Sequence, residues 1–448
     1  MIERCRAEHC KNRERSPACK PGKRYGEKGS KSVSDTARRL TGQQVHVILA
    51  AYLGWTLDAF DFFIMAFVLR EVAATFSAPI GSVAFAITLT LACRAIGAFG
   101  FGRLADRYGR RPTLMVNVLC YSLLEFCSGL APTLLVFLIL RALYGVAMGG
   151  EWGIGASLTM ESIPAKWRGS VSGLLQAGYP SGYLLASVLY LALPWLGWRG
   201  MFMVGVAPAL LVFYIRRTVP ESPDWLARTQ EERTISIWTV MRQYSGLVIF
   251  ATVVMMAFNF FSHGSQDLYP SQFLGAQHKL QPGEISAISI VANIGAIIGG
   301  IGFGSLSQRI GRKWAIVIAS LLALPVLRLW AFSSTPFMLG LGAFLMQICV
   351  QGAWGVVPVY LNELSPATIR GTFPGLVYQL GNFLASANAN IQVWLAERFN
   401  GDYGLAMAIV VGTVAVIITV LVALGREPKG ARMGEDAGLL SQAVPRRS

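Results

Sequence analysis

The sequence predicts an all-α polytopic membrane protein in which twelve transmembrane helices form two pseudo-symmetric halves of six. Three observations support this fold class. Of the 448 residues, 54% are hydrophobic and only 14% are charged, whereas a soluble domain carries about 25% charged residues. The apolar residues come in runs of about 20, the length of helix that crosses a hydrocarbon core of ~30 Å. Short motifs also recur at one fixed offset along the chain.

The apolar runs define twelve spans, numbered 1 to 12 in chain order. Continuous runs of this length favour helices over a closed barrel, whose strands are short and alternate. The domains expected are a tail at 1–44, six-helix bundles at 45–217 and 246–425, a linker at 218–245 and a second tail at 426–448. The spans are predicted at 45–69, 79–101, 113–131, 133–157, 170–193, 198–217, 246–270, 284–307, 313–332, 335–361, 371–396 and 403–425.

The net charge of +15 reflects topology rather than nucleic acid binding. Residues 1–44 hold twelve Lys/Arg against five acids, and other basic clusters fall between alternate spans. The positive-inside rule therefore predicts that both termini and the linker lie in the cytoplasm. The first tail is polar and aperiodic, so we expect it to be disordered. Translation from Val33 would remove most of it, which leaves residues 1–32 in question.

The two halves are repeats of each other. "GRLADRYGRR" (102–111) recurs as "GSLSQRIGRK" (304–313), "ESIPAKWRG" (161–169) as "ELSPATIRG" (363–371), and "GEWG" (150–153) as "GAWG" (352–355). Each pair is 202 residues apart. Parallel six-helix repeats around a midplane site are typical of transporters that rock between two conformations. The charges of the decapeptide predict a latch at the cytoplasmic face that forms in one conformation and breaks in the other.

The decapeptide resembles the signature loop of the major facilitator superfamily. "ESIPAKWRG" and "PESPDW" (220–225) resemble the sugar- and metabolite-carrier branches of that superfamily, and the resemblance covers residues 45–425. Gln308 stands where the pattern of the second copy has aspartate, which puts a matching latch there in question. By position, the resemblance implies gating roles for Gly102, Asp106, Arg107, Gly109 and Arg110.

Charged side chains inside the spans are candidates for function. Each costs about 2.5–3.5 kcal/mol at mid-bilayer on insertion scales, so its presence predicts a role. We interpret two of them, Glu125 and Glu151, as structural. The full set is Asp58, Asp61, Arg94, Glu125, Arg141, Glu151, His263 and Asp267.

Asp58 and Asp61 lie three residues apart and share a face of span 1. Two carboxylates so close, about 20–24 Å along the helix from its cytoplasmic start, would not both ionise easily. This arrangement suits reversible protonation; the alternative is that they only pair with Arg94 or Arg141. Arg94 can bind a carboxylate through two parallel hydrogen bonds. The resemblance to sugar carriers implies that Asp61 and Arg141 form a proton-sensitive pair.

Span 7 carries a polar stripe. Asn259, His263 and Gln266 follow helical spacing, and Ser262 and Asp267 broaden the same face. A lone buried histidine is usually a core residue, but these polar neighbours favour a water-lined path for substrate or protons. His263 also stands 202 residues after Asp61, so we expect the two to face each other across the central cavity.

The stripe also carries a narrower resemblance. "NFFSHGSQDLYPS" (259–271) is similar to the span-7 signature N-x-x-[ST]-H-x-[ST]-Q-D-x-x-x-T of monocarboxylate permeases in the sialate:proton symporter family, with Ser271 in place of the final threonine. "GWTLDAFDFF" resembles the first span of that family. Gln379 and Asn382, three residues apart on span 11, look like the pair that shapes carboxylate selectivity there.

Together these patterns predict proton-coupled uptake of a small organic carboxylate, with a lactate- or pyruvate-like monocarboxylate favoured. Protonation of Asp61 would release Arg141 or Arg94 for the substrate. The candidate proton-coupling residues are Asp58, Asp61 and Asp267. The candidate substrate-binding residues are Arg94, Arg141, Asn259, His263, Gln266, Gln379 and Asn382.

Other functions stay open at this stage. Paired aspartates in span 1 also suit an aromatic-acid:proton symporter, sialic acid remains a possible cargo, and "PESPDW" suggests a neutral sugar carrier. A receptor built on a transporter scaffold would bind without flux. No phosphate loop, metal-ligand spacing or hydrolase-like set predicts an enzyme, so we expect neither cofactor nor metal. We expect a monomer in the bacterial inner membrane whose partners are an organic acid, protons and lipid.

Overall fold

The computed structural model describes residues 39–431, and their regular secondary structure is helical, with no strand among them. The disorder predicted for the first tail falls on residues outside this range, apart from its last few residues. Span 1 begins at a capping box, in which Thr41 N–H donates to Gln44 Oε1 (2.9 Å) and Gln44 N–H donates to Thr41 Oγ1 (3.3 Å). Such reciprocal bonds satisfy backbone donors that have no partner within the helix.

Each predicted span coincides with one helix or with two consecutive helices. Span 5 is interrupted at Ala177, and span 6 is divided after Val204. The first-half helices are Gly42–Thr75, Ile80–Tyr108, Arg110–Gly129, Leu134–Ser162, Arg168–Gln176 with Gly178–Ala192, and Gly197–Val204 with Ala209–Thr218.

The second half repeats this order after a linker of three short helices, Pro223–Leu226, Gln230–Thr234 and Ile237–Gln243. Span 7 ends in a π-helical segment, Tyr269–Gln277, and span 11 is divided by a 3₁₀ turn, Ala385–Ala387. The second-half helices are Ser245–Gln266, Pro282–Ile310, Arg312–Phe332, Pro336–Leu364, Phe373–Leu384 with Asn388–Arg398, and Tyr403–Leu424.

Four of the predicted spans are not single helices that are both long enough and apolar enough to cross a membrane. Within residues 39–431, eight helices are long and apolar enough to cross a membrane, or nine if Ala165–Ala192 and Pro194–Val204, bent by 79°, count as one. Span 3 falls short because polar residues, among them Asn117, Ser122 and Glu125, are interspersed with its apolar ones. Spans 5, 6 and 11 fall short because they are divided. Three of these four spans contribute residues to the sites described below.

The repeat is visible in local structure. Thr133 accepts a hydrogen bond from Val136 N–H and caps span 4, and Thr335, 202 residues later, accepts one from Met338 N–H and caps span 10. Gly109 and Gly311 have φ of 113° and 101° at equivalent turns. Only glycine adopts such backbone angles without steric cost, which explains why both copies of the decapeptide retain glycine there.

The halves meet where spans 2 and 4 contact span 11 and where span 5 contacts spans 8 and 10. A Cβ added at Gly102 would lie 2.6 Å from Thr372 Cα, and one at the equivalent Gly304 would lie 2.8 Å from Gly173 Cα. The helices therefore touch backbone to backbone. We call the end of the bundle that carries residues 102–111, 161–169, 304–313 and 363–371 the motif face. The two halves are closed against each other at this face.

Candidate functional site

Six ionisable side chains are buried together in spans 1 to 4. Each is at most 3% exposed. Isolated charges in such surroundings carry a large desolvation cost, so their pairing determines what the cluster can do. The six are Asp58, Asp61, Arg94, Glu125, Arg141 and Glu151.

Two pairs form within this cluster. Arg94 Nη2 lies 3.8 Å from Asp58 Oδ2, and Arg141 Nη1 donates to Glu125 Oε2. Arg141 also lies over the Tyr144 ring, 4.1 Å from its centroid. The implied pair of Asp61 with Arg141 is therefore wrong for this conformation, because Glu125, about one turn before the end of span 3, reaches the guanidinium instead.

Asp61 and Glu151 have no cation within 4 Å among residues 39–431, and neither carboxyl has a hydrogen-bond partner there. Asp61 Oδ1 and Glu125 both lie close to Gly205 of the loop that divides span 6. An ionised carboxylate in this position would be buried without compensation. A proton removes that cost, so these two groups are suited to carry one.

Arg94 keeps unused donors. Its Nε and Nη2 atoms are buried and make no hydrogen bond within residues 39–431, while its guanidinium lies 5.9 Å from the Phe62 ring centroid. A planar guanidinium with free N–H groups fits a carboxylate well. Arg94 is thus better placed than Arg141 to bind a further carboxylate.

The second half places the predicted stripe against span 11. His263 Nδ1 lies 3.2 Å from the Asp267 carboxylate, and its Nε2 lies 3.2 Å from Asn382 Oδ1. Both neighbours are acceptors, so both bonds form only when both ring nitrogens carry hydrogen. The side chains of His263 and Asp267 are 31% and 44% exposed. Spans 7 and 11 therefore share a hydrogen-bonded, accessible group that can change its protonation state.

The other stripe residues divide into two groups. Gln266 Nε2 donates to Ser262 Oγ (3.2 Å) and to Gln347 Oε1 of span 10 (3.1 Å), as the polar face predicts. Asn259 is buried and donates to the carbonyl of Met255 (2.7 Å). Its amide is engaged by its own helix in this conformation, so it does not contact His263.

Span 11 carries unpartnered amides near the stripe. Gln379 is 1% exposed, and neither its Oε1 nor its Nε2 has a hydrogen-bond partner within residues 39–431. Asn388 is in the same state, while Gln392 Nε2 donates to the carbonyl of Gly264 (2.8 Å). Buried amides without partners are costly, so they are candidates for contact with water or substrate.

An aromatic cluster was missed by the sequence reasoning. Tyr378 packs between Trp152 of the first half (4.8 Å between ring centroids) and Trp354 of the second (5.4 Å). Trp152 and Trp354 are the tryptophans of "GEWG" and "GAWG". Trp152 Nε1 also donates to Gln176 Oε1 (3.4 Å), and Gln176 stands 202 residues before Tyr378. The cluster could have been predicted from the repeated tryptophan of the two motifs, because Trp152 and Trp354 both contact Tyr378.

The motif face contains the predicted gating residues. The buried carboxylate of Asp106 accepts hydrogen bonds from Gly371 N–H (2.8 Å), Thr372 N–H (3.0 Å) and Thr372 Oγ1 (2.6 Å). Arg110 lies 3.0 Å from the same carboxylate. Arg107 is exposed and stacks on its neighbour, so it does not take part in this contact. Asp106 thus joins span 2 directly to the start of span 11.

Equivalent ion pairs hold each half at this face. Arg110 binds Glu161 through two hydrogen bonds of 3.1 and 3.2 Å, and Arg312 binds Glu363 through two of 2.9 and 3.1 Å. Across the halves, Arg370 lies 3.8 Å from Glu161. These contacts form a charged network with tight pairs inside each half.

Acidic residues after spans 6 and 12 cap the starts of spans 3 and 9 in the same way. Glu221 accepts from the backbone N–H groups of Arg110 (3.0 Å) and Arg111, and Glu427 accepts from those of Arg312 (2.9 Å) and Lys313. Burial raises the pKa of Glu221, although these backbone donors act in the opposite direction.

This geometry defines a class of protein. Two helical halves, closed at one face and enclosing buried ionisable groups, are the architecture of an alternating-access membrane transporter. Within residues 39–431, no group of three His, Cys, Asp or Glu side chains is arranged to hold a metal ion.

The chain belongs to the "Sugar (and other) transporter" family, whose model matches residues 47–237 and 233–427. It is 28% identical over 433 residues to the carboxylic acid transporter protein homolog of Saccharomyces cerevisiae, covering 87% of this chain and 69% of that one. It is 27% identical over 396 residues to the sialic acid transporter NanX of Escherichia coli, covering 88% and 96%. It is therefore a transporter and not an enzyme.

Two further comparisons, one with a relative and one with a solved structure, agree with this family. The cis,cis-muconate transport protein of Acinetobacter baylyi is 27% identical over 392 residues, covering 84% of this chain and 92% of that one. The structure of the proton:xylose symporter XylE superposes with a TM-score of 0.71 at 20% identity, covering 88% of this chain and 98% of that one. The latter likeness concerns the fold alone. The predicted major facilitator fold is confirmed.

Proposed function

We propose that the protein is a proton-coupled symporter of a small organic carboxylate, with a lactate- or pyruvate-like monocarboxylate favoured. The observation that carries the proposal is His263, which joins Asp267 to Asn382 at an accessible place between spans 7 and 11. The relatives named for carboxylic acid, sialic acid and muconate transport support an acid as the cargo. Sialic acid remains the alternative, because it also carries a carboxylate that the site could bind.

The proton would load on the first half, and the substrate would bind between the two halves. Asp61, with Asp58 beside it, carries the proton in the first half, and Arg94 with its unused donors binds the substrate carboxylate. His263, Asn382, Gln266 and Gln379 bind its remaining oxygens. One monocarboxylate and one proton form a neutral load, so the pH gradient rather than the membrane potential would drive uptake.

The cytoplasmic side would be the motif face. Its basic clusters satisfy the positive-inside rule, which puts both termini in the cytoplasm of a bacterial inner membrane. The conformation described here is then closed to the cytoplasm. We propose that the functional unit is a monomer, because one chain carries both halves of the site.

Uptake of labelled lactate, pyruvate and sialic acid into proteoliposomes with an imposed pH gradient tests this function. Asp61→Asn, Asp267→Asn and His263→Ala should each reduce uptake strongly, while Glu397→Gln, a matched carboxyl-to-amide change on an exposed residue, should not. Full gradient-driven uptake by Asp61→Asn would refute the proton site. Binding of an acid without any flux would indicate a receptor instead.

A further inference from the structure

A cavity of about 510 Å³ lies at the motif face, between the start of span 5 and the end of span 8. Lys166, Trp167 and Ser170 line it from the first half, and Ser305, Gln308 and Arg309 line it from the second. None of these residues belongs to the transport site. Both halves therefore contribute to this cavity, which the proposed symport does not use.

The cavity is lined by positive charge. Lys166 and Arg309 are exposed, and neither has an acidic side chain within 4 Å among residues 39–431. The indole N–H of Trp167 is buried and has no acceptor in the same part of the chain. An indole N–H only donates hydrogen bonds. Two cations and an unsatisfied donor together favour an anionic ligand.

The repeat shows what stands at the equivalent place in the first copy. Asp106 corresponds to Gln308, and Thr372 corresponds to Ser170, at the offset of 202 residues. The Asp106 carboxylate accepts three hydrogen bonds from Gly371 and Thr372. One side of the interface between the halves thus has an anion that belongs to the chain.

Gln308 does not replace that anion. Its Nε2 donates to the carbonyl of Ala165 (3.1 Å), and its Oε1 accepts from Arg312 Nη1 (3.2 Å). An amide carries no charge, so the positive charge of Lys166 and Arg309 is not balanced from this position.

The linker also distinguishes the two sides. Beside Asp106, Trp225 Nε1 donates to the Asp106 carbonyl (3.0 Å), and Arg228 Nη1 donates to the carbonyl of Thr368 (3.3 Å). Thr368 stands 202 residues after Lys166. Linker side chains therefore fill the first side at the place where the second side has the cavity.

We propose that the cavity binds a phosphate group, supplied by an anionic lipid head group or by inorganic phosphate, at the place that corresponds to the Asp106 carboxylate. Lys166 and Arg309 bind its oxygens, since basic pockets between membrane helices suit anionic head groups. Because these two residues come from different halves, the ligand binds more tightly when the motif face is closed and shifts the protein toward that conformation.

Native mass spectrometry of the purified full-length chain, titrated with phosphatidylglycerol or phosphatidylcholine, tests the site. Lys166→Gln/Arg309→Gln should weaken phosphatidylglycerol binding by about tenfold or more. Arg217→Gln/Arg242→Gln removes the same charge from exposed residues outside the cavity and should change it little. Equal loss in both double variants, or equal binding of the two lipids, would overturn the proposal.

A second variant tests the site independently, in case Lys166→Gln/Arg309→Gln does not fold. Gln308→Asp restores the residue of the first repeat and should also weaken phosphatidylglycerol binding, because its carboxylate occupies the place of the ligand; Gln308→Asn should not. Displacement of the lipid by inorganic phosphate identifies the phosphate group alone as sufficient, and persistence of the lipid identifies the head group as the source. Unchanged binding in Gln308→Asp would contradict the correspondence with Asp106.

Discussion

Six ionisable side chains are buried in spans 1 to 4, and the residues 202 positions further along the chain are apolar at five of these places. The exception is Asp61, whose counterpart is His263. In the order Asp58, Asp61, Arg94, Glu125, Arg141 and Glu151, the counterparts are Phe260, His263, Ala296, Leu327, Ala343 and Ala353.

The reverse comparison gives the same pattern. The amide side chains of the second half have mostly apolar counterparts in the first: for Asn259, Gln266, Gln347, Gln379 and Asn382 these are Leu57, Ile64, Gly145, Ala177 and Pro180. The two repeats therefore have similar backbone folds, but their buried side chains differ. Away from the motif face, the arginine–carboxylate pairs therefore lie in the first half and amide hydrogen bonds predominate in the second, with Asp61 and His263 as the place where both halves are polar.

The largest expected effect tests the charged half. Glu125→Gln leaves Arg141 buried without its counter-charge and should destabilise the protein by about 3–5 kcal/mol, because an uncompensated buried charge is more costly than no charge. Thermal unfolding of the purified protein in detergent measures it. Glu125→Gln/Arg141→Met should recover most of the loss. If the double variant is as unstable as the single one, charge compensation is not what the pair provides.

The next effect tests the place that both halves share. His263→Ala removes the side chain that we propose binds the substrate. A hydrogen bond that involves a charged group is worth about 1.5–3 kcal/mol, so KM for the transported acid should rise by about 10–100-fold. His263→Gln keeps a hydrogen-bonding side chain but cannot take up a proton. We expect it to retain more binding than His263→Ala and to lose the part of the pH dependence of KM between pH 5 and 8 that comes from His263, whereas the part that comes from Asp61 remains. A normal pH profile in His263→Gln would assign that dependence elsewhere.

A smaller effect tests the neutral half. Asn382→Ala removes one neutral partner of His263, worth about 0.5–1.5 kcal/mol. Uptake of the preferred acid should fall by up to about tenfold, and the preference between short and bulky acids should change, as competition assays would show. Ser289→Ala, on a helix outside the polar stripe, is the control. An unchanged preference would exclude Asn382 from selectivity.

The smallest effect tests the shared backbone. Thr133→Ala and Thr335→Ala each remove the cap of an equivalent helix and should each cost about 1 kcal/mol of stability. Equal decreases in the melting temperature would indicate that the scaffold of the two repeats is energetically similar. A large inequality would show that the repeats differ in framework as well as interior.

The sequence was sufficient for the helix positions and the repeat. Periodicity and motif spacing specify these features directly. It was not sufficient for the partner of Arg141, because several carboxylates lie within reach of a long side chain and small differences in helix position decide between them. It also missed the break at Ala385–Ala387, which no proline marks.

The asymmetry of the motif face has a mechanical consequence. On the side of spans 2 and 11, Asp106 makes three hydrogen bonds of 2.6–3.0 Å to the other half. On the side of spans 5 and 8, the hydrogen bonds between the halves are neutral: Gln308 donates to Ala165, and Ser172 bonds to span 10. The pair of Arg168 with Glu363, at 3.8 Å, matches that of Arg370 with Glu161 on the other side. When the motif face opens, we expect separation to begin between spans 5 and 8, with the Asp106 side acting as the pivot until its bonds break.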